Sequence, residues 1–298
     1  MIPIIFFGTH QFAAAILEAV IKSGLFDIQL VITMPDRPVG RHQELQESAV
    51  KIVAKKYNLK IDQPSSLKNY SLLSTSYSLN IIVDYGAIIP QSIIDAPKFG
   101  SINVHPSLLP KYRGASPIQS VLMNGEKETG ISIMLIDDQM DHGPILAQQK
   151  FSILVDDTFS TLYERLAAEA GSLLINTVQK YLDNEIKPQT QDHEEATFTK
   201  IMSREDGKID FTLKTASEIY NLYRGLTPWP GIFTIWNEKR LKLIKTKLAD
   251  KKITPGEIKT EGDRLFWGCK SGSIEVLELQ LEGKKIMTAK EFINGNRL

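Results

Sequence analysis

Apolar runs of four to seven residues alternate with helical patterns along the first 150 residues of this chain. Runs of this length that are bounded by turn residues are typical of buried strands. Strands separated by helices pair in parallel, which predicts an α/β fold with a Rossmann-like, mostly parallel sheet. The strand-like runs lie at residues 2–7, 28–33, 80–83, 100–104 and 130–136, and the helical patterns lie at 11–21 and 49–57.

Right-handed crossovers bring the carboxyl ends of parallel strands to one edge of a sheet. We therefore expect Gly8, Tyr85, His105 and the loop 137–141, which all follow strand ends, to gather at that edge. Ligands of open α/β sheets bind there. The turn after the first strand has a single glycine and lacks the dinucleotide fingerprint, so no nicotinamide or flavin dinucleotide is predicted.

From residue 144 onward the chain follows a different pattern. A further strand is predicted at 144–153, and Asp157 or Thr158 is a candidate cap for the helix that follows. Periodicity then fails, which indicates a linker at 190–208 between a domain at 1–189 and a domain at 209–298. Short β-type runs in the last domain predict a small β-barrel of the OB kind. These runs lie at residues 233–236, 241–246, 264–267 and 273–279.

Charge is distributed unevenly although the formal net charge is zero. Residues 209–298 hold 16 Lys and Arg against 11 Asp and Glu. A basic domain suits a phosphate-bearing partner, although chance asymmetry on two solvated surfaces accounts for it equally well. The single cysteine, Cys269, excludes an internal disulfide and a cysteine zinc site, and is compatible with a reducing cytoplasm. No apolar run approaches 18 residues, so we expect no membrane span.

The fourth strand-like run ends in two polar side chains, Asn103 and His105, before Pro106. Proline favours an extended backbone at the preceding residue, which holds His105 at the strand end. Side chains two residues apart share one side of a strand. An amide and an imidazole on one side can donate hydrogen bonds to a developing oxyanion. A histidine at a strand end is also common as an ordinary polar residue.

The loop 136–144 brings three carboxylates to a turn. A carboxylate placed there can pair with His105 and accept a proton from an attacking amine. Asp137, Asp138 and Asp141 are equally compatible with a solvated turn. With His142 they could also suggest a metal site, but no two histidines have the spacing of ligands on a helix, so none is predicted.

Two segments resemble the 10-formyltetrahydrofolate-dependent formyltransferases. Residues 103–119 are similar to that family's Asn-x-His-x-Ser-Leu-Leu-Pro-x-Tyr-Arg-Gly motif, and residues 140–146 resemble its loop with the catalytic aspartate. The resemblance implies that Asn103, His105 and Asp141 are catalytic. Further matches at residues 7–13, 35–41 and 128–134 extend it over nearly the whole chain.

The resemblance also implies a binding site for 10-formyltetrahydrofolate as cosubstrate, with no metal. Segments 228–230 and 282–287 resemble family members with a second domain, which act on tRNA. The implied reaction is formylation of the α-amine of initiator methionyl-tRNA by a cytoplasmic monomer, for translation initiation. The implied cosubstrate-binding residues are Tyr85, Gly86, Ile88, Ile89, Pro90, Ser107, Leu108, Leu109, Pro110 and Asp137.

Three other functions stay open at this point. Sugar-nucleotide N-formyltransferases share the catalytic set and can carry a small C-terminal domain. A related hydrolase uses water in place of the amine. A non-catalytic nucleic-acid-binding module would also suit the basic domain. The presence of all three catalytic residue types argues against the module.

The chain departs from the family pattern at three places. Residues 42–48 replace a basic run that the family uses to hold the tRNA acceptor stem, so we expect weaker phosphate attraction there, although Arg37 and Arg41 remain. His10 and Gln11 stand where Pro-Asp is usual. Asp84 stands where a small apolar residue is usual, beside the implied pterin pocket.

Overall fold

The computed structural model describes residues 1–39, 43–70, 72 and 77–296. The chain forms two compact units. Both units are assembled from more than one segment of the chain, and each is described separately below. The first comprises Met1–Gly114, Thr129–Phe151 and Tyr163–Phe198, and the second comprises Ala115–Glu128, Ser152–Leu162 and Thr199–Leu298.

The described residues form strands and helices whose bounds follow in chain order. None of the described helices has both the length and the apolar character needed to span a bilayer. The helices are α1 (Gln11–Ser23), α2 (Ala49–Lys56), α3 (Gln91–Ile94), α4 (Pro117–Met123), α5 (Phe159–Leu182), α6 (Ala216–Leu226) and α7 (Ala289–Gly295). The strands are β1 (Ile2–Gly8), β2 (Phe26–Ile32), β3 (Arg37–Val39), β4 (Glu44–Gln46), β5 (Ile61–Asp62), β6 (Leu79–Val83), β7 (Ser101–His105), β8 (Arg113–Gly114), β9 (Glu128–Leu135), β10 (Ile145–Ser152), β11 (Phe198–Thr199), β12 (Ile232–Trp236), β13 (Lys239–Ala249), β14 (Ile258–Glu261), β15 (Arg264–Gly268), β16 (Ser273–Leu281) and β17 (Met287–Thr288).

The main sheet of the described chain has the strand order β10-β9-β7-β6-β1-β2-β5. The pairs β1–β2, β1–β6, β6–β7 and β2–β5 are parallel, which confirms the predicted mostly parallel sheet. Its central strands are apolar on both faces, since Ile4, Phe6 and Phe7 are fully buried in β1. Helix α1 covers one face with Phe12, Ile16 and other apolar residues at helical spacing.

Strand β9 breaks the parallel pattern because it runs antiparallel to β7. Its register pairs Ser132 with His105 and Leu135 with Ile102, so the carboxyl end of β9 lies beside the amino end of β7. The expectation that all these strand ends share one edge is therefore wrong for β9. A run of apolar residues carries no information about strand direction. The following loop must turn back along β7 to reach His105.

A short hairpin, β3–β4, occupies part of the stretch that departs from the family pattern. Pro38 pairs with Leu45 across it. Glu47, just beyond the hairpin, forms ion pairs with Lys51 and Lys55 of α2. Arg41, one of the two arginines that remain in this loop, lies outside the described residues, as does His42.

The second unit contains a mostly antiparallel sheet in the order β12-β13-β16-β15-β14, with β17 paired to β16. This arrangement agrees with the small C-terminal β domain that the sequence predicts. Its core includes Phe292 of α7 and Ile219 of α6, both fully buried. Helix α6 begins at a capping box, in which Thr215 accepts from the Glu218 amide and the Glu218 carboxylate accepts from Thr215.

Glu275 in β16 is a buried carboxylate with two cationic neighbours. It is only 4% exposed, and Arg264 donates to both of its oxygens at 2.9 and 2.6 Å. The Nζ atom of Lys247, on β13, lies 3.3 Å from Glu275 Oε2. The hydrogen bonds from Arg264 hold the pKa of Glu275 below its ordinary value.

We expect Glu275→Gln to destabilise the second unit by about 2 kcal/mol at pH 7, since hydrogen bonds to a charged group are lost. A carboxylate with a lowered folded-state pKa contributes stability above its unfolded pKa and loses it as the pH falls through the folded pKa. The difference from wild type should therefore shrink below about pH 4.5. Urea unfolding followed by tryptophan fluorescence measures it, because Trp229, Trp236 and Trp267 all lie in this unit.

Glu278→Gln, at a half-buried position of the same strand, is the matched control and should change the urea midpoint little. Equal midpoints for wild type and Glu275→Gln at pH 7 would contradict the stabilising role of the Arg264 contact.

Candidate active site

Strand β7 and the loop after β9 bring three polar side chains together. Asn103 Nδ2 lies 3.5 Å from Asp141 Oδ1, and His105 Nδ1 lies 3.6 Å from Asp141 Oδ2. Both β7 side chains therefore point to the same side of the strand, as their spacing predicts. The His105 and Asp141 side chains are only 6% and 14% exposed, so the carboxylate and the imidazole meet where water screens them weakly.

The orientation of the His105 ring is fixed by a main-chain group. Its Nε2 lies 2.9 Å from the carbonyl oxygen of Tyr112. Because a carbonyl oxygen only accepts, Nε2 must carry a hydrogen. The opposite nitrogen, Nδ1, faces Asp141 beyond hydrogen-bond distance. Nδ1 is therefore the ring nitrogen that is available to a reacting group.

Asp141 is held by the backbone. The amide of Gly114 donates to Asp141 Oδ2 at 2.7 Å. Asp141 itself has φ +50°, a left-handed conformation that few residues other than glycine adopt. Two residues later, a Cβ at Gly143 would stand 2.0 Å from the carbonyl oxygen of Leu135, so only glycine fits there. The sharp return of the loop along β7 thus depends on these two positions.

The amide side chain of Gln191 holds the same loop. Gln191 Nε2 donates to the carbonyls of Asp141 and Gly143 at 2.9 and 2.7 Å. Its Oε1 accepts from Nε and Nη2 of Arg113 at 3.2 and 2.7 Å. Nothing in the sequence signals Gln191, since it is one polar residue in a polar stretch without periodicity.

Thr197 contacts the opposite side of the site. Its hydroxyl accepts from the amide of Tyr112 at 2.8 Å, and its carbonyl accepts from the amide of Arg113 at 2.8 Å. Gln191 and Thr197 both lie within the stretch predicted as a linker. Part of that stretch therefore lines the backbone that carries the three polar side chains.

Asp137 and Asp138 have different surroundings from Asp141. Asp137 lies 2.6 Å from His142 Nδ1 and accepts from the amide of Gln139 at 3.0 Å. The His142 ring stacks on His193 with centroids 3.8 Å apart. Asp138 is exposed. Among the residues that the structure describes, no three His, Cys, Asp or Glu side chains are grouped as a metal site.

The segment after β6 contains five of the predicted cosubstrate residues. Tyr85 is buried edge-on against Phe7, and burial raises the pKa of its phenol. Gly86 has φ +90°, and Ile88 is 93% exposed. The segment thus combines a tight turn with a large exposed apolar side chain, and Ile89 and Pro90 that follow are half-buried.

The second group of predicted cosubstrate residues, 107–110, is pinned by hydrogen bonds. Ser107 is fully buried, and its hydroxyl donates to the Lys111 carbonyl. Ser132 donates to the carbonyl of Ser107 and accepts from the amide of Leu109. Leu109 is buried, whereas Leu108 and Pro110 are half-buried. The hydrogen bonds of Ser132 therefore fix the position of this segment against β9.

Two departures from the family pattern meet each other. His10 Nδ1 lies 2.9 Å from Asp84 Oδ1, on neighbouring strand ends. The hydrogen bond that His10 donates to the Asp84 carboxylate is the main reason that the pKa of His10 is raised. Asp84 has φ +43° and immediately precedes Tyr85. The charge that Asp84 adds beside this segment is thus paired with an imidazole.

Comparison with known protein families gives two matches that together cover most of the chain. The family described as formyl transferase matches residues 2–178, and the family described as formyl transferase, C-terminal domain, matches residues 201–297. The gap between the two matches, residues 179–200, contains Gln191 and Thr197.

Individual proteins are also similar to this chain over most of its length. A methionyl-tRNA formyltransferase of Thermodesulfovibrio yellowstonii is 43% identical over 299 residues, which cover 99% of this chain and 96% of that protein. The crystal structure of an N-formyltransferase from Helicobacter canadensis, in complex with folinic acid and dTDP-3-aminofucose, is 23% identical with a TM-score of 0.68 and covers 93% and 99%. A methionyl-tRNA formyltransferase structure from Clostridium thermocellum is 19% identical with a TM-score of 0.57 and covers 85% and 96%. At these identities, the two structures show a shared fold.

Proposed function

Because this chain belongs to the methionyl-tRNA formyltransferase family, we propose that Asn103, His105 and Asp141 carry its formyl transfer. The enzyme formylates the α-amine of methionyl-tRNA, for translation initiation. The observation that supports the catalytic assignment is the contact of Asp141 with both β7 side chains, at 3.5 and 3.6 Å. At these distances the carboxylate can accept a proton, and the imidazole and the amide can each donate a hydrogen bond.

The donors act on the oxygen of the transferred group. When bound, 10-formyltetrahydrofolate supplies a formyl group whose carbonyl carbon can accept an amine. The amide of Asn103 and Nδ1–H of His105 donate to the formyl oxygen, on which negative charge develops. Since Nε2 is bound to the Tyr112 carbonyl, donation from Nδ1 requires the doubly protonated imidazolium ring.

Asp141 has two roles in this mechanism. Its charge stabilises the His105 imidazolium at 3.6 Å, and its carboxylate accepts the proton that leaves the amine, directly or through a water. The Gly114 amide donates to the same carboxylate and keeps it oriented. The bond between the formyl carbon and the cosubstrate nitrogen would then break, and that nitrogen would take up the proton held by Asp141 as tetrahydrofolate leaves. Asn103 and His105 thus stabilise charge while Asp141 moves the proton from the attacking amine to the leaving nitrogen.

The cosubstrate site comprises the two segments at 85–90 and 107–110, together with Asp137. The exposed Ile88 and the turn at Gly86 provide an apolar surface for the pterin ring. The segment 107–110 is held by Ser132, so it keeps its position while the cosubstrate binds and dissociates. The monomeric state and the cytoplasmic location stay predictions from the sequence.

The domain at 209–298 binds the tRNA in this proposal. The stretch 190–208 connects it to the domain at 1–189, and Gln191 and Thr197 within that stretch also hold the backbone of the catalytic residues. Exposed cations lie along β13, with Lys239, Arg240, Lys245 and Lys247 on its surface. Such a strand attracts nucleic-acid phosphates without reading sequence. The support for tRNA over a sugar nucleotide is the relative that is 43% identical across both domains, a methionyl-tRNA formyltransferase.

We expect Asp141→Asn to lower the single-turnover rate of methionyl-tRNA formylation by about a hundredfold or more. The variant keeps an oxygen for the Gly114 amide but loses both the negative charge and the proton acceptor. Rapid-quench formylation at saturating cosubstrate and tRNA measures the rate, and circular dichroism checks the fold.

Asp138→Asn is the matched control, because it removes an exposed carboxylate from the same loop. Its rate should stay within twofold of wild type. A single-turnover rate near the wild-type value for Asp141→Asn would remove Asp141 from the catalytic set.

We expect tRNA affinity to fall steeply with salt, and the double variant Lys239→Gln/Lys245→Gln to reduce that dependence. Each lost phosphate contact lowers the slope of log K against log salt by about 0.9 for duplex nucleic acid. Filter binding between 50 and 300 mM salt gives the slope. Salt-independent binding by the wild-type enzyme would contradict phosphate recognition by this domain.

A further inference from the structure

We infer that Gln191 is a positioning residue that sets the Asp141 carboxylate against His105. This inference rests on the proposed function, because it assigns a role relative to Asp141 in formyl transfer. Gln191 touches Asp141 only through the main chain, so it acts through the carboxylate rather than on the substrate. Hydrogen bonds connect the Gln191 side chain to the loop that carries Asp141 and, through Arg113, to the strand on the opposite side of the site.

The Gln191 amide uses all of its hydrogen-bonding capacity. Its two N–H groups face the carbonyls of Asp141 and Gly143, and its oxygen accepts twice from Arg113. The residue is 5% exposed, although both residues before it, Gln189 and Thr190, are exposed. A buried amide with four partners has one allowed orientation, because the flipped amide would place its oxygen against two carbonyls.

Gln191 controls the loop side of the contact directly. Asp141 and Gly143 flank the turn that folds back along β7, and Asp141 has the left-handed φ of +50°. Two hydrogen bonds from one amide tie these carbonyls to a common point. A backbone in a costly conformation persists when its surroundings over-determine it, and Gln191 supplies part of that restraint.

Gln191 also controls the opposite side through Arg113. Arg113 is 3% exposed and stands between the two residues whose backbone orients the catalytic pair. Before it, the Tyr112 carbonyl accepts from His105 Nε2, and after it, the Gly114 amide donates to Asp141. Fixing the Arg113 side chain therefore fixes the strand that holds both His105 and Asp141. His193 shares the restraint, since its Nδ1 lies 2.9 Å from Arg113 Nη2.

The Gln191 amide thus links the main-chain carbonyl of Asp141 to the strand whose Gly114 amide binds the Asp141 carboxylate. Losing it lets the loop and the strand shift separately, which lengthens the contacts of Asp141 with Asn103 and His105. Misplacement of a reacting group by about 1 Å can cost about a hundredfold in rate. The side-chain hydrogen bonds of Gln191 go to Asp141, Gly143 and Arg113, which lie outside the cosubstrate segments at 85–90 and 107–110, so we expect cosubstrate binding to be spared.

The test replaces Gln191 by methionine, which keeps the length of the side chain and removes its four hydrogen bonds. We expect kcat for methionyl-tRNA formylation to fall about 10- to 100-fold, with KM for cosubstrate and for tRNA within twofold of wild type. Gln189→Met is the matched control, because the same substitution is made two positions earlier at an exposed side chain. It should leave both constants unchanged.

A double-mutant cycle with Asp141→Asn separates positioning from general stability. If Gln191 acts through the Asp141 carboxylate, Gln191→Met should lower the single-turnover rate of Asp141→Asn by a clearly smaller factor than it lowers the rate of the wild type. Multiplying losses in the double variant, or an unchanged kcat in the single variant, would overturn the inference.

Gln191→Glu keeps the test decisive if the methionine variant does not fold. The carboxylate retains the Arg113 contact but has no hydrogen to donate to the two carbonyls, so the same loss of kcat is expected. Wild-type kcat in a folded Gln191→Glu would equally overturn the inference. A full rate in Asp141→Asn would refute the proposed function instead, and the two failures are therefore distinguishable.

Discussion

The hydrogen bond from the Gly114 amide to the Asp141 carboxylate, at 2.7 Å, fixes the geometry on which the rest of the site depends. It is made by the backbone, so it survives any side-chain change that leaves the strand in place. The neighbouring carbonyl of Tyr112 orients His105 in the same way. Tyr112 and Gly114, on either side of Arg113, thereby hold an imidazole and a carboxylate that are only 6% and 14% exposed. In the proposed mechanism, such preorganisation avoids the reorganisation that water would undergo as charge develops.

The sequence predicts much of this arrangement because side-chain chemistry and spacing carry it. The alternation of apolar runs predicts the parallel sheet, and the two-residue spacing predicts that Asn103 and His105 share a side. The direction of β9 could not be predicted, because an apolar run has the same composition whichever way it runs. Asp141 reaches His105 all the same, since Gly143 permits a backbone return that a side chain would block.

Other features escaped prediction because main-chain groups exist at every position. No pattern distinguishes the Gly114 amide or the Tyr112 carbonyl from their neighbours before the fold places them. Gln191 is similar, since its role comes from burial and partners rather than from residue type. The pairing of His10 with Asp84 could be predicted only in part. Both departures from the family pattern are visible in the sequence, but their contact at 2.9 Å depends on the adjacency of β1 and β6.

The central claim is that this site delivers a formyl group to the amine of methionyl-tRNA. The most direct measurement supplies the purified enzyme with formyl-labelled 10-formyltetrahydrofolate and equal concentrations of methionyl-tRNA and an amino-sugar nucleotide. The label should appear on methionyl-tRNA, with the sugar left unlabelled and little free formate released. Preferential labelling of the sugar, or formate as the main product, would contradict the claim, because the same catalytic groups would then serve another acceptor.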